Sequence, residues 1–215
     1  MRGSIGPVRI ITVSREYGSG GGEIARMVGD ALGWRVIDHA VIEEVARRLH
    51  APEADIEAMD EHVGGIVERI AGVFARGSPE APVVSPIPDP DTIAALARAV
   101  LRDALSSLPF VVVGHGAQCL FSARDDALHV FVGAPLKNRV RRVAERRGVA
   151  PDVAAREVEH RDAERHRYLR HHFSCDPDNP DLYTIQLNTG SISLEHARLL
   201  ILQLVQWREV APVGA

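Results

Sequence analysis

The residues best placed to do chemistry are Gly18-Ser19-Gly20-Gly21-Gly22, because four of the five lack a Cβ and would let a bound anion approach the backbone. They lie in the longer segment Ser14-Arg15-Glu16-Tyr17-Gly18-Ser19-Gly20-Gly21-Gly22-Glu23. An apolar β-type run, Val8-Arg9-Ile10-Ile11-Thr12-Val13, precedes it. Ile24, Ala25, Val28 and Leu32 then recur at helical spacing up to Gly33. Strand, glycine-rich turn and helix start form the setting in which backbone N–H groups and a helix N-terminus cradle phosphate. Laid on the pattern G-x-x-x-x-G-K-[ST], however, Arg15 replaces the first glycine, Gly21 the lysine and Gly22 the hydroxyl residue. A glycine-rich turn with no phosphate role is the alternative for this segment alone.

Arginine makes a second group. Among the 25 basic residues only Lys137 is a lysine, so side-chain charge for a polyphosphate must come from arginine, a planar and permanently charged fork. Arg139, Arg142 and Arg146 fall at i, i+3 and i+7, on one helix face. Arg161 and Arg165 fall at i, i+4, with Asp162, Arg167 and Tyr168 alongside. Positioned arginines stabilise the charge spread during phosphoryl transfer. A solvated face, paired with Glu145, Glu157, Glu159 and Glu164, explains the same spacing without chemistry. His160, His166, His171 and His172 lie near Cys175 but match no standard zinc spacing, so they are expected to be exposed side chains, and no metal ligand set is assigned.

The elements that must position these groups alternate. Strands are expected at 8–14, 34–37, 110–113, 128–132 and 182–187. Helices are expected at 22–32, 39–49, 53–75, 91–107, 135–147, 151–171 and 193–207. Five prolines between Gly77 and Pro90 read as a loop. The alternation predicts an α/β fold, a doubly wound five-stranded parallel sheet flanked by helices. Ligands in such sheets bind beyond the carboxyl ends of the strands. Those exits hold Ser14 to Glu23, Asp38-His39, Gly114-His115-Gly116, Gly133-Ala134 and Asn188-Thr189-Gly190.

Whole-chain properties narrow the class. A length of 215 residues, 46% hydrophobic and 25% charged, suits one domain with a full core. A net charge of -4 argues against general nucleic-acid binding. No apolar run reaches the roughly 18 residues of a membrane span. Met1-Arg2-Gly3-Ser4 is not followed by an apolar leader core, and Cys119 and Cys175 show no motif spacing. These features predict a cytoplasmic protein with cysteines in a reducing compartment.

Taken in order, the motifs resemble those of the cytidylate kinase-like family, a branch of P-loop kinases related to nucleoside monophosphate kinases. "ITVSREYGSGGGEIARMVGDALGWRVID" is similar to that family's opening, which carries S-R-E-Y-G-S-G-G-x-x-I-A in place of the lysine-bearing loop. "FVVVGHGA" resembles its strand ending in G-R-G-A. "RDAERHRYL" resembles its D-x-x-R-x-x-Y lid helix, and "YTIQLNTGSISLEHA" its last strand and closing helix. The likeness runs over about residues 9–205 and is weakest at 50–105. It implies a single P-loop kinase-type domain over 1–215, a helical lid at about 146–175, a Pro-rich loop at 77–90, and transfer of the γ-phosphoryl of ATP, with Mg²⁺, to a small acceptor. A nucleoside monophosphate such as CMP is the first acceptor implied, and a homodimer is compatible with the reading.

Residue by residue, the resemblance implies that Gly18, Ser19, Gly20, Gly21, Gly22 and Glu23 wrap the donor phosphates, with Ser19 offering a hydroxyl. Arg15 is the nearest substitute for the missing lysine. Arg139, Asp162 and Arg165 match the lid-side groups that act in catalysis. Asp38 and His115 match acceptor-side positions, His115 departing from the family arginine. A nucleotide-binding regulator that has lost catalysis, or a kinase for an unrelated acceptor, are the competing readings.

Overall fold

A computed structural model describes residues 6–39 and 90–210. The helix expected at 39–49, apart from its first residue, the helix expected at 53–75 and most of the proline-rich loop lie outside the described residues. The chain divides into two compact units, Met1–Val36 with Pro109–Ala215, and Ile37–Leu108. In chain order the elements are β1 (Ile10–Arg15), α1 (Gly21–Leu32), β2 (Arg35–Ile37), α2 (Pro90–Ala104) and a 3-10 turn at Leu105–Ser107. Then come β3 (Phe110–Val113), α3 (Ala117–Leu120), β4 (Ala127–Gly133), α4 (Leu136–Arg147) and α5 (Pro151–Phe173). A 3-10 turn at Pro180–Leu182, β5 (Ile185–Asn188) and α6 (Leu194–Val210) complete the chain. Within the second unit, α2 buries Ala94, Ala97, Val100, Leu101 and Ala104 at helical spacing.

The five strands form one parallel sheet in the order β2-β3-β1-β4-β5. β1 is central, pairing Ile10 with Phe110 of β3 on one side and with Ala127 of β4 on the other. Strands paired on both edges are buried and read as mostly apolar runs, Phe110 to Val113 in β3 and Ile10, Ile11 and Val13 in β1. One face carries the main core, where Val13, Val111, Val130 and Leu187 meet Ile24 and Val28 of α1 and Ala197 and Ile201 of α6. The other face carries Thr12 and His129, joined by a 2.8 Å Thr12 Oγ1–His129 Nδ1 hydrogen bond.

Local chemistry sets the helix ends. α1 begins after Gly20, which is left-handed (φ 88°), and stops at Gly33 (φ 65°). There the Trp34 N–H returns to the Gly29 carbonyl at 2.9 Å. Gly29 itself must lack a side chain, since a Cβ would come within 2.4 Å of Val36 Cγ2. Two boundaries differ from the expected ones. β5 starts at Ile185, because Pro180–Leu182 closes a 3-10 turn in which Asn179 caps the Asp181 N–H at 3.0 Å. The helix expected at 91–107 ends at Ala104 and tightens into a 3-10 turn. No helix among the described residues is long and apolar enough to cross a membrane.

The cysteines, expected from their lack of motif spacing to sit in a reducing compartment, are instead bonded to each other. Cys119 in α3 and Cys175, two residues beyond α5, form a disulfide with a Cα–Cα distance of 6.3 Å across a sequence separation of 56. Their meeting depends on α5 ending beside the β3 exit, where Phe173 packs on Gly116 so tightly that a Cβ there would lie 2.5 Å from the ring.

Two predictions follow from this packing. A loop of that length should contribute roughly 2–4 kcal/mol through lost unfolded-state entropy. Urea titration should show that loss on adding a dithiol and in the Cys119→Ser/Cys175→Ser variant, which should itself ignore the dithiol; equal midpoints for oxidised and reduced parent would show the bridge to be absent in solution. Burial holds the His129 imidazole below its ordinary value; the Phe121 carbonyl opposes this and the Arg208 charge adds to it. The unfolded chain therefore binds this proton as pH falls through about 6.5 while the folded chain does not, so stability is lost below that pH and restored above it. His129→Gln should flatten the stability slope between roughly pH 5 and 6.5, measured by urea midpoints; an unaltered slope would assign it to other groups.

Candidate functional site

The glycine-rich loop hangs between β1 and α1. Its Glu16 N–H donates to the Val132 carbonyl at 3.0 Å, which continues the sheet by one bond, and the chain then turns through left-handed Gly18 (φ 81°) and Gly20 (φ 88°). Both need glycine for contact as well as for backbone angle. A Cβ at Gly18 would lie 2.9 Å from the Arg139 carbonyl, and one at Gly20 would lie 2.6 Å from Leu194 Cδ2. The first N–H groups of α1, from Gly21 to Glu23, have no partner within their own helix and form its positive end. Ser19 is fully buried and its hydroxyl donates inward to the Glu16 carbonyl at 2.8 Å, so it serves the loop through its backbone. The Glu23 side chain is exposed in the first turn of α1.

Arg15 explains the missing lysine sterically. A Cβ at Gly21 would lie 2.6 Å from Arg15 Cβ, so the arginine stem fills the space that a lysine at this position would need. The guanidinium continues to the exit of β3, where a Cβ at Gly114 would fall 1.8 Å from Arg15 Nη1. Arg15 thus spans from the loop to Gly114-His115-Gly116, three successive left-handed residues (φ 76°, 54° and 69°). His115 holds that conformation without the freedom of glycine, a strained geometry of the sort found at ligand sites. Gly22 is different from its neighbours: a Cβ there would meet nothing within 4 Å.

Helices α4 and α5 form a hairpin clamped onto the loop. Asp162 Oδ1 accepts the Tyr17 N–H at 2.9 Å, and its Oδ2 accepts Arg139 Nη1 at 2.5 Å. Arg139, 7% exposed, also donates from Nε to the Ala134 carbonyl at 2.9 Å and from Nη1 to the Tyr17 carbonyl at 3.3 Å. Tyr17 donates its hydroxyl to Glu157 Oε1 at 2.8 Å and packs among Val143, Ala154 and Val158, the hairpin's own small core. The Tyr17 hydroxyl and then Arg147, which is ion-paired to it, hold the Glu157 carboxyl below the usual carboxylate range. Arg139 and Asp162 are therefore brought together, and they meet each other and the loop backbone.

Arg165 lies one turn beyond Asp162, its Cζ 5.8 Å from the centre of the Phe131 ring. Its Nε and Nη1 are buried and meet no hydrogen-bond acceptor among the described residues. Tyr183 stacks at 5.1 Å on the same Phe131. Burial raises the Tyr183 phenol above its ordinary value, with the Arg165 charge in partial opposition. Beside this group a cavity of about 270 Å³ is lined by residues that include Glu16, Phe131, Gly133, Gln186 and Asn188. Arg142, which the arginine spacing included without a role of its own, bonds the loop at Ser19 and the β5 exit at Thr189.

Asp38 follows β2 and belongs to the second compact unit. Among the histidines of α5, His160 and His171 are exposed, and His166 stands 3.5 Å from Asp178. No group of three or more His, Cys, Asp or Glu able to hold a metal occurs among the described residues.

A parallel 2-3-1-4-5 sheet with a glycine loop between its central strand and first helix defines the P-loop kinase class of fold. Within that class the chain belongs to the cytidylate kinase-like family, whose model matches residues 10–191. Solved structures share the fold. An uncharacterized protein from Eubacterium ventriosum superposes with a TM-score of 0.67 at 19% identity, covering 92% of this chain and 98% of that one. Shikimate kinase from Bacteroides thetaiotaomicron gives 0.52 at 14% identity, covering 92% and 98%. Shikimate kinase from Acinetobacter baumannii in complex with shikimate gives 0.50 at 15% identity, covering 94% and 96%. No curated protein matches the chain.

The unequal crowding of the loop glycines is directly testable. Gly22→Val should fold like the parent and weaken pyrophosphate and ATP binding by roughly tenfold or more, an effect of about 1.4 kcal/mol or greater. Gly20→Val should lower the melting temperature through its clash with Leu194, so it cannot isolate binding. Calorimetric titration beside thermal unfolding separates these outcomes; unchanged affinity in Gly22→Val would remove the start of α1 from the ligand site.

Proposed function

We propose that the protein is a nucleotide-dependent phosphotransferase that moves the γ-phosphoryl of ATP to a small acceptor. One observation carries the reading: Arg165 keeps two buried guanidinium nitrogens, Nε and Nη1, without acceptors, one turn along α5 from the Asp162 carboxylate that accepts the Tyr17 N–H of the loop. Arg165 is half-buried, and buried donors of a cation left unmet are costly unless an anion completes them. Phosphoryl transfer asks a protein for little beyond positioning and charge, and this constellation offers both.

In this reading Gly18 to Gly22 and the first turn of α1 bind the donor phosphates, and Arg165 meets the charge that redistributes during transfer. Arg139 and Asp162 act through the loop, holding α5 so that Arg165 stays in place. Arg15, extended to Gly114, presents its charge between donor loop and the acceptor-side run that contains His115. The described residues of the loop and hairpin fit a polyphosphate and supply no dedicated cation cage, so Mg²⁺ would be held largely by phosphate oxygens and water. When bound, it would neutralise charge between the β- and γ-phosphates. The family makes a nucleoside monophosphate such as CMP the first acceptor to test. The absent lysine and hydroxyl at Gly21 and Gly22 favour a second reading, a nucleotide-binding regulator without turnover.

A coupled ADP-release assay across nucleoside monophosphates, with small hydroxy acids as a second arm, should find one acceptor that stimulates turnover. Arg165→Met should then lower kcat by roughly 10²-fold, the effect of about 3 kcal/mol of lost charge stabilisation, with donor affinity little changed. ATP binding without ADP release for any acceptor would favour the regulator, and unchanged kcat in Arg165→Met would remove Arg165 from the reaction.

A further inference from the structure

We propose that Arg142 is a positioning residue that gives the phosphate loop, from behind, the positive charge its lysine position lacks. The inference deepens the phosphotransferase reading and rests on its donor-site half. Arg142 Nη1 donates to the Ser19 carbonyl at 3.0 Å and to Thr189 Oγ1 at 2.8 Å, while Nη2 donates to the Thr189 carbonyl at 2.6 Å. Thr189 is 3% exposed, and its hydroxyl donates onward to the same Ser19 carbonyl at 2.7 Å. One carbonyl of the loop therefore receives two donors, one of them a full cation, in surroundings where Ser19 is wholly buried.

Three consequences follow. A trans peptide directs its N–H opposite to its C=O, so anchoring the Ser19 carbonyl on the Arg142 side turns the Gly20 N–H away from it. Without that anchor, a peptide leading into left-handed Gly20 could rotate at little steric cost. A charged donor on the carbonyl also polarises the peptide and strengthens its N–H as a donor. Finally, the cation itself acts on the loop through a medium of low effective dielectric. A lysine in the usual position is excluded by the stem of Arg15 over Gly21, so charge has to enter from another direction. α4 supplies it because Arg142 sits three residues after the anchored Arg139, on the side of the helix that meets the loop.

A purely structural tie would weaken every ligand alike, whereas a charge effect must grow with the charge of the ligand. The test is calorimetric titration of the parent, Arg142→Met and Arg142→Lys with ATP, ADP, AMP and adenosine, with thermal unfolding as a control. Arg142→Met should lose roughly tenfold or more for ATP, less for ADP, less again for AMP and nothing for adenosine, as a single charge at an effective dielectric near 20 implies. Arg142→Lys should recover part of the ATP loss, and Thr189→Val should cause a small loss independent of ligand charge. Equal losses for all four ligands, or unchanged ATP affinity in Arg142→Met, would overturn the proposal. If Arg142→Met does not fold, Arg142→Lys decides: ATP affinity kept near the parent's upholds it, and charge-independent losses overturn it. A parent that binds ATP in this graded manner but turns nothing over would leave Arg142 assigned while the phosphotransfer reading falls, and a parent that binds no polyphosphate would overturn both.

Discussion

The carboxylate of Asp162 joins the two parts of the candidate site. One oxygen takes the Tyr17 N–H at the start of the loop and the other takes Arg139. Without it, a loop N–H and a buried guanidinium would each lose an acceptor, and a buried charge without its partner is among the costlier defects a fold can carry. Through it, the hairpin of α4 and α5 is registered on the phosphate loop, and Arg165, one turn further along α5, is set over Phe131. Tyr17 reinforces the registration from the other direction by entering the small core of the hairpin. The arrangement makes loop geometry and hairpin placement one structural problem instead of two.

Steric exclusion around Arg15 accounts for the most unusual feature of the loop. Its stem lies against Gly21 and its tip against Gly114, so glycine at both places is a condition of the arginine's path. The substitution of lysine by glycine is thus the other side of gaining an arginine that reaches the β3 exit. Gly22 has no such constraint, and its small size leaves room at the start of α1. The loop that results carries its charge on arginines held behind or beside it.

Much of this was legible in residue order. The five strands, the loop between β1 and α1, and the presence of arginines on α4 and α5 follow from apolar runs, periodicity and glycine placement, which are local properties. Helix ends and the β5 start shifted by a few residues where turn chemistry at Pro180–Leu182 and Ala104 competed with periodicity. Arg142 carried no sequence signal that distinguished it from a solvated arginine, since its partners Ser19 and Thr189 are distant in the chain. The cysteine pair was illegible for the same reason: 56 residues separate them, and only the endpoint of α5 brings them together.

The sequence by itself determined the sheet, its order of elements and the phosphate-type loop, because a buried parallel strand, a glycine turn and a helix start each need particular residue types at particular spacings. Tertiary structure decided which charges face whom. It turned Ser19 inward, paired Arg139 with Asp162, left Arg165 with unmet donors, ran Arg15 to Gly114 and placed Arg142 behind the loop. Side-chain partnership depends on contacts between separate elements, 23 residues apart for Arg139 and Asp162 and 123 for Arg142 and Ser19, and spacing within one helix specifies a face but not what that face will meet.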